Sequence, residues 1–265
     1  MGAGLEFWLG VAAKMAVTVA FVILATRAAE RAGPLIGAMV ATLPVAAGPA
    51  YVFLSLEHDS SFIATTALSS LAVNAATVVF CLVHARVAQS RGMPTSLAAT
   101  LGAWGVLAVA IRSVSWTLPG AVLLNVCAIA VCLPLARRFR HIEMPAVARR
   151  WYDVPLRAGM VATLVATVVS ISSRVGPTVT GILAIFPIVL TSLVLIFQPR
   201  IGGKATAAII ANGIIGLAGF SLALAVLHVT AVPLGSPAAL CLSLLVSLGW
   251  NISVVMLRRR QARRA

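Results

Sequence analysis

The sequence predicts an all-α, polytopic membrane protein of nine transmembrane helices, arranged as two inverted four-helix repeats joined by a connector helix. Three observations carry that expectation. Hydrophobic residues make up 61% of the 265 residues and charged residues 10%, with a mean hydropathy of +1.05, which leaves too little polar surface for a water-soluble domain of this length. Apolar blocks of about 18 to 25 residues, the length that crosses a hydrocarbon core of roughly 30 Å, recur along the chain. The string Arg31-Ala-Gly-Pro34, followed by Pro44, returns 143 residues later without a gap as Arg174-Val-Gly-Pro177, followed by Pro187. In the same register Ala41 falls on Ala184 and Pro94 on Pro237. A repeat of this kind constrains the architecture before any motif does.

In order, the spans are 7–26, 33–56, 61–85, 94–111, 115–136, 154–173, 176–198, 204–228 and 236–257. In hydrocarbon every backbone polar group needs a partner within the protein, and long apolar blocks find theirs as helices; the short alternating segments of a barrel are absent. The first span follows Glu6, has no basic residue before Lys14 and no small-residue cleavage site after it, so it reads as a retained helix and not a signal. The second opens on Pro34, where a missing amide hydrogen costs nothing, and is loosened further on by Gly48-Pro49. The third carries Asn74 and the small residues Ser69, Ser70, Ala75 and Ala76. The fourth holds Trp104. The fifth, with Asn125 near its centre, has no mate and becomes the connector. The sixth carries Arg157, with Thr163 and Thr167 on one face. The seventh opens on Pro177 and contains Pro187. The eighth carries Gly213, Gly216 and Gly219 at spacing three, a strip that lets helices approach closely. The ninth holds Trp250. The chain divides into a first repeat at 1–112, a connector with a basic loop at 113–152, and a second repeat with a basic tail at 153–265.

Charge sets the expected topology. The formal net charge is +14. With the amino terminus outside, the loops and tail on one side, together with Lys204 at the start of the eighth span, hold sixteen of the Lys and Arg residues and the opposite loops hold two, Arg112 and Arg174. This is the positive-inside bias, and it places the carboxyl terminus in the cytoplasm of a cell whose inner membrane the chain spans. The basic clusters at Arg137, Arg138, Arg140, Arg149, Arg150 and the tail would face anionic lipid, each worth about 1 kcal/mol near the surface, so the expected partners are membrane lipids and a solute, and not nucleic acid; a homo-oligomer is compatible with the pattern. Five crossings separate each helix from its mate, and an odd number reverses direction, so the halves are antiparallel. Inverted repeats are the construction of many secondary transporters, whose site lies near the midplane at the repeat interface.

At 1.5 Å per residue, Pro44 and Pro187 each lie roughly 15 Å from the face where their helices begin, about half the hydrocarbon thickness. An interior proline releases the carbonyl four residues back, so Val40 and Leu183 are expected to present free acceptors there. Thr42, Thr191, Asn74, Asn212, Thr163 and Thr167 reach similar depth, and together these residues form the candidate substrate-binding set. Lys14 and Arg157 occupy equivalent positions in the first and sixth helices and are candidates for attracting an anionic group. Lys14 has the alternative of snorkelling to the headgroups, and Arg157 that of an i,i+4 pair with Asp153. All six carboxylates lie at or beyond helix ends, which weakens proton coupling through an acid and leaves histidine or sodium open.

Cys81, Cys127, Cys132 and Cys241 lie in apolar spans without metal-ligand spacing and read as buried small hydrophobes. Glu57-His58-Asp59 reads as a solvated loop. No nucleophile elbow, phosphate loop or zinc helix motif is present, so no enzyme, cofactor or metal is expected. Gly181-Ile-Leu-Ala-Ile-Phe-Pro187 and Ala38-Met-Val-Ala-Thr-Leu-Pro44 resemble the Gly-x-x-x-x-Phe-Pro segment of the small GlpM-like inner-membrane proteins, over about a third of the chain. The resemblance implies a four-helix membrane unit, here duplicated, and nothing about substrate. The expected function is a secondary transporter or facilitator of a small organic solute, anionic or zwitterionic. The alternatives are a channel, a lipid-handling protein, or an accessory subunit.

Overall fold

A computed structural model describes residues 2–31, 47–140 and 150–262. Among the described residues the chain is all-α, with eight helices: α1 (Gly2–Arg31), α2 (Ala47–Glu57), α3 (Ser60–Val87), α4 (Met93–Arg112), α5 (Leu118–Ala136), α6 (Asp153–Ala184), α7 (Ile188–Leu234) and α8 (Ser236–Ala262), with a 3₁₀ turn at Arg137–Phe139. Six of them are long and apolar enough to cross a bilayer, consistent with a polytopic membrane protein.

Their ends are written locally. Asp59 caps α3, its Oδ1 accepting the Phe62 N–H at 2.8 Å, a bond that satisfies one of the amides a helix leaves orphaned at its start. The starts of α4 and α5 carry proline in the first turn, where no donor is lost.

Three glycines reverse or end helices. Gly176 (φ 73°, ψ 173°) lies inside α6, Gly202 (φ 79°, ψ 169°) inside α7, and Gly235 (φ 79°, ψ 153°) between α7 and α8. That backbone region is closed to residues with a Cβ. α6 therefore consists of 153–175 and 177–184, and α7 of 188–201 and 203–234. Contacts fix their directions. At one end of the bundle, the Ser60 face, Ser60 meets Ser236 (3.1 Å), His58 Nε2 meets Ser172 Oγ (2.7 Å) and His228 Nδ1 meets the Ala64 carbonyl (2.8 Å). At the other, the Ala88 face, Gly203 lies so close to Ala88 that a Cβ would overlap its carbonyl oxygen, and Gln198 Nε2 reaches Ser96 Oγ at 3.4 Å.

The predicted span 176–198 is not one helix. Segment 177–184 enters from the Ser60 face, the chain breaks at Ile185, Phe186 and Pro187, and 188–201 continues to the Ala88 face. The proline cannot donate in the ladder and its ring opposes the preceding turn. In the other half, the span predicted at 33–56 is described only as α2. Val40, Thr42 and Pro44 lie outside the described residues.

α3 is the centre of the bundle. In its most apolar stretch 72% of residues are buried, against 22% for α4, 17% for α5 and 11% for α8. It packs on α7, α4, α5 and α6, while α1 packs on α6 and α8 on α7. Lipid tails are as apolar as leucine, so close fit and polar bonds hold such helices together. Gly181 supplies the fit for 177–184, since a Cβ there would overlap the Thr66 carbonyl of α3. Gly219 does so for α8: the Trp250 ring fills its notch and donates Nε1 to the Ile215 carbonyl at 2.9 Å. The cysteines divide by helix position: Cys81 and Cys132 are buried, but Cys127 and Cys241 are exposed, because α5 and α8 turn most of their surface outward.

Candidate functional site

The break at 185–187 lies about halfway along the bundle. Gly181 meets the first third of α3, and Gln198 meets the start of α4 at the opposite end. Between them Phe186 packs edge-on against Trp104, with centroids 5.1 Å apart and planes at 83°, while Trp104 Nε1 donates to Thr77 Oγ1 at 3.2 Å. The carbonyl expected to be free at Leu183 is not: it accepts the Phe186 N–H at 3.0 Å, because the chain tightens into an i→i+3 turn as the helix ends. The unpartnered polar atom near the break is instead Thr191 Oγ1, buried without a hydrogen bond.

Thr163 and Thr167 lie exposed on α6, with Thr167 Oγ1 donating to the Thr163 carbonyl at 2.8 Å. Together with Phe186 and Ile188 they line a groove of about 600 Å³ whose other walls are Pro155, Leu156, Gly159, Met160 and Leu164. The structure thus gathers Thr163, Thr167 and the residues flanking Pro187 around one largely apolar groove. A smaller cavity of about 230 Å³ lies towards the Ser60 face between α3, the end of α4 and 177–184, beside Thr65, Ser69, Arg112 and Thr178.

Asn74 and Asn212 are elsewhere. Asn74 belongs to a polar knot between α3, α5 and α7: its Nδ2 lies 3.0 Å from Asn125 Oδ1, 2.8 Å from Ser221 Oγ and 3.2 Å from the Leu217 carbonyl. Asn125 Nδ2 donates to the Leu71 and Ala121 carbonyls at 2.7 and 2.9 Å. Asn212 Oδ1 accepts Arg140 Nε at 3.0 Å while its Nδ2 bonds the Ala208 carbonyl.

The two intramembrane cations are also placed. Lys14 is ion-paired with Glu57 at the end of α2 and does not stand alone. Asp153 pairs with Arg200 of α7, Nη1 to Oδ2 at 2.8 Å, and not with Arg157 four residues on. A guanidinium fork from another helix meets both carboxylate oxygens and outcompetes the local partner. Arg157 Nε is buried without a partner. Arg200 also stacks over the Tyr152 ring, 5.1 Å from its centroid. The bond from Arg150 to the Tyr152 oxygen, at 2.7 Å, lowers that phenol below its ordinary range, with Arg200 adding to the effect.

The Glu57-His58-Asp59 segment is engaged rather than simply solvated. Glu57 holds Lys14, His58 stacks on Phe62 with centroids 3.8 Å apart and meets Ser172, and Asp59 caps α3. The Phe62 amide, followed by the Ser61 hydroxyl, holds the Asp59 carboxyl below the ordinary value. Among the described residues no group of three His, Cys, Asp or Glu side chains could hold a metal.

Sequence reasoning missed several buried polar contacts. Tyr51 donates to Ser70 Oγ (2.7 Å), which donates to the Gly181 carbonyl (2.7 Å); Ser221 completes the knot; and His84 is fully buried with neither ring nitrogen bonded. No family model, curated protein or solved structure matches the chain.

Proposed function

We propose that the chain is a secondary transporter or facilitator of a small organic solute, anionic or zwitterionic, working by alternating access between two inverted halves of an inner membrane protein. The observation that carries this reading is the helix broken halfway along the bundle at Ile185, Phe186 and Pro187, since discontinuous helices at mid-depth are where transporters place their sites.

The inverted repeat has its own support. At the offset of 143 residues read from the prolines, the start of α3 at Ser60 corresponds to the start of 203–234, and the start of α4 at Met93 to that of α8 at Ser236. Asn74 bonds the carbonyl of Leu217, its own counterpart at that offset. Two equivalent points can touch only where they lie beside the axis that exchanges them, so this contact favours a pseudo-twofold axis passing between the middle of α3 and the middle of 203–234. The ion pairs fit the same scheme in part: Glu57 corresponds to Arg200, and each is paired with the first helix of its half, Glu57 with Lys14 and Arg200 with Asp153, one turn before the Lys14 counterpart Arg157. In the first half the pair ties the end of α2 to α1, and in the second it ties the end of 188–201 to α6, at opposite faces. The positive-inside bias makes the Ala88 face cytoplasmic. An anionic group suits Arg157, whose Nε is buried without a hydrogen bond one turn inside that face.

The test is uptake by the full-length protein in proteoliposomes, using a panel of labelled dicarboxylates, monocarboxylates and amino acids. Saturable uptake that is accelerated by unlabelled solute inside, and strongly reduced in Pro187→Ala with folding intact, is expected. Non-saturable flux would instead mark a channel. A second reading, lipid handling, is favoured by the open and largely apolar groove on α6; lipid scrambling in the same vesicles without solute uptake would select it.

A further inference from the structure

His84 has no structural reason to be histidine. It is fully buried in α3, and neither Nδ1 nor Nε2 has a hydrogen-bond partner. An imidazole carries at least one N–H and, when neutral, one acceptor nitrogen, so both are desolvated with nothing in return. Leucine would pack there without that penalty. Ionisable groups kept inside a membrane protein against such a cost mark functional positions.

Other buried polar side chains lie at the same end of the bundle. Thr77, two helical turns earlier on α3, receives Trp104 Nε1 from α4. Residues seven apart share a helix face, so His84 is directed at α4 as well, and the α3–α4 hairpin sets it level with Ser96 and Leu97. Ser96 and Thr100 are fully buried there, and Gln198 of segment 188–201 reaches Ser96 while its own Oε1 stays buried and unbonded. Segment 188–201 thus carries an orphaned acceptor to the same level as the orphaned imidazole. The foot of this segment is clamped by Arg200 on Asp153 of α6. Arg157, one turn from Asp153 and itself unpartnered at Nε, stands ready to receive the carboxylate if Arg200 leaves.

The titratable and charged groups that the packed elements bring towards this end are Cys81 and Arg86 on α3, Arg91 before α4, Cys132 on α5, Asp153 and Arg157 on α6, and Arg200 and Lys204 on α7. None is hydrogen-bonded to or ion-paired with the ring.

We propose that His84 is a proton-binding site that couples the opening of the Ala88 face to pH. The ring is neutral while 188–201 covers it. When the Asp153–Arg200 clamp opens and the segment moves away, water enters from that face and delivers a proton to the free ring nitrogen, giving an imidazolium, while Asp153 passes to Arg157. A charged ring is disfavoured where it is buried without partners, so acid favours the open form by linkage. The inference rests on the alternating-access reading for the direction of movement.

The experiment uses spin labels at Trp151→Cys and Lys204→Cys, both exposed positions at this face, in a full chain otherwise free of cysteine and held in nanodiscs. Their distance distribution is read at pH 8 and pH 5.5. The longer-distance population is expected to rise at least about threefold at pH 5.5, to become insensitive to pH in both His84→Gln and His84→Leu, and to dominate at both pH values in Asp153→Asn. Two substitutions keep the result readable if one fails to fold. A response to pH that survives in a folded His84 variant overturns the proposal. A wild-type distribution that ignores pH while Asp153→Asn still opens the face sinks the proton site and leaves the transporter reading standing. Labels that never separate in any variant sink both.

Discussion

Asn74 and His84 lie ten residues apart on the same buried helix, yet one is tied into a knot of three side chains and three carbonyls while the other is bonded to nothing. The contrast separates two reasons for burying polarity in a membrane bundle. At Asn74 the polar atoms join α3, α5 and α7 at the point where α3 meets its own counterpart, and each bond there replaces one that lipid could not supply. At His84 the fold gains nothing from the nitrogens, and the same end of the bundle holds the clamp between Arg200 and Asp153.

The largest way to disturb this contrast is to force α7 off the His84 end of α3. Gly203→Ala would push a methyl into the Ala88 carbonyl, and a loss of about 3 kcal/mol is expected from unfolding in mild detergent followed by tryptophan fluorescence. Breaking the knot is next. Asn125→Leu leaves the polar atoms of Asn74 and Ser221 short of partners and should lower stability by about 1 to 2 kcal/mol in the same assay. His84→Leu sharpens the comparison by changing sign: with no bond to lose, it should be neutral or stabilising by up to about 1 kcal/mol, and a loss comparable to that of Asn125→Leu would show a hidden bonding role.

The smallest effect belongs to the exposed start of the same helix. The Asp59 carboxyl is held below its ordinary value by the bonds it receives, so its stabilisation is complete above the unfolded value of about 4 and fades as pH falls through the lower folded value. The difference in unfolding temperature between wild type and Asp59→Ala should therefore be steady from pH 7 to 5 and shrink below about pH 4.

What could be read from the chain followed local rules. Apolar length predicted the membrane helices, Gly-Pro at 176–177 marked a helix start just after a reversal, and Pro187 marked the break. What could not be read depended on partners far along the chain. Helical spacing offers Asp153 the nearby Arg157 as a partner, but Arg200 brings a two-pronged one from another helix. Leu183 was expected to present a free carbonyl because a straight helix was assumed up to the proline, whereas the chain turned early and used it. Asn74 and Asn125 stood out as polar residues in apolar spans. Ser221 did not, since a serine on a helix bonds its own backbone as readily as a neighbour. His84 sat near a predicted span end, and only the packing of the surrounding helices shows it to be sealed from water.

The central place of α3 also governs how the chain is made. Most of what covers this helix emerges from the ribosome after it: Gly181 for Ser70, Leu217 and Ser221 for Asn74, Gly203 for Ala88. Until then Asn74 has no side-chain partner, Asn125 of α5 being the first to arrive. Nascent chains that stop after α5 are consequently expected to be held by insertion chaperones or cut by membrane proteases, and synthesis of the second half to release the first from quality control.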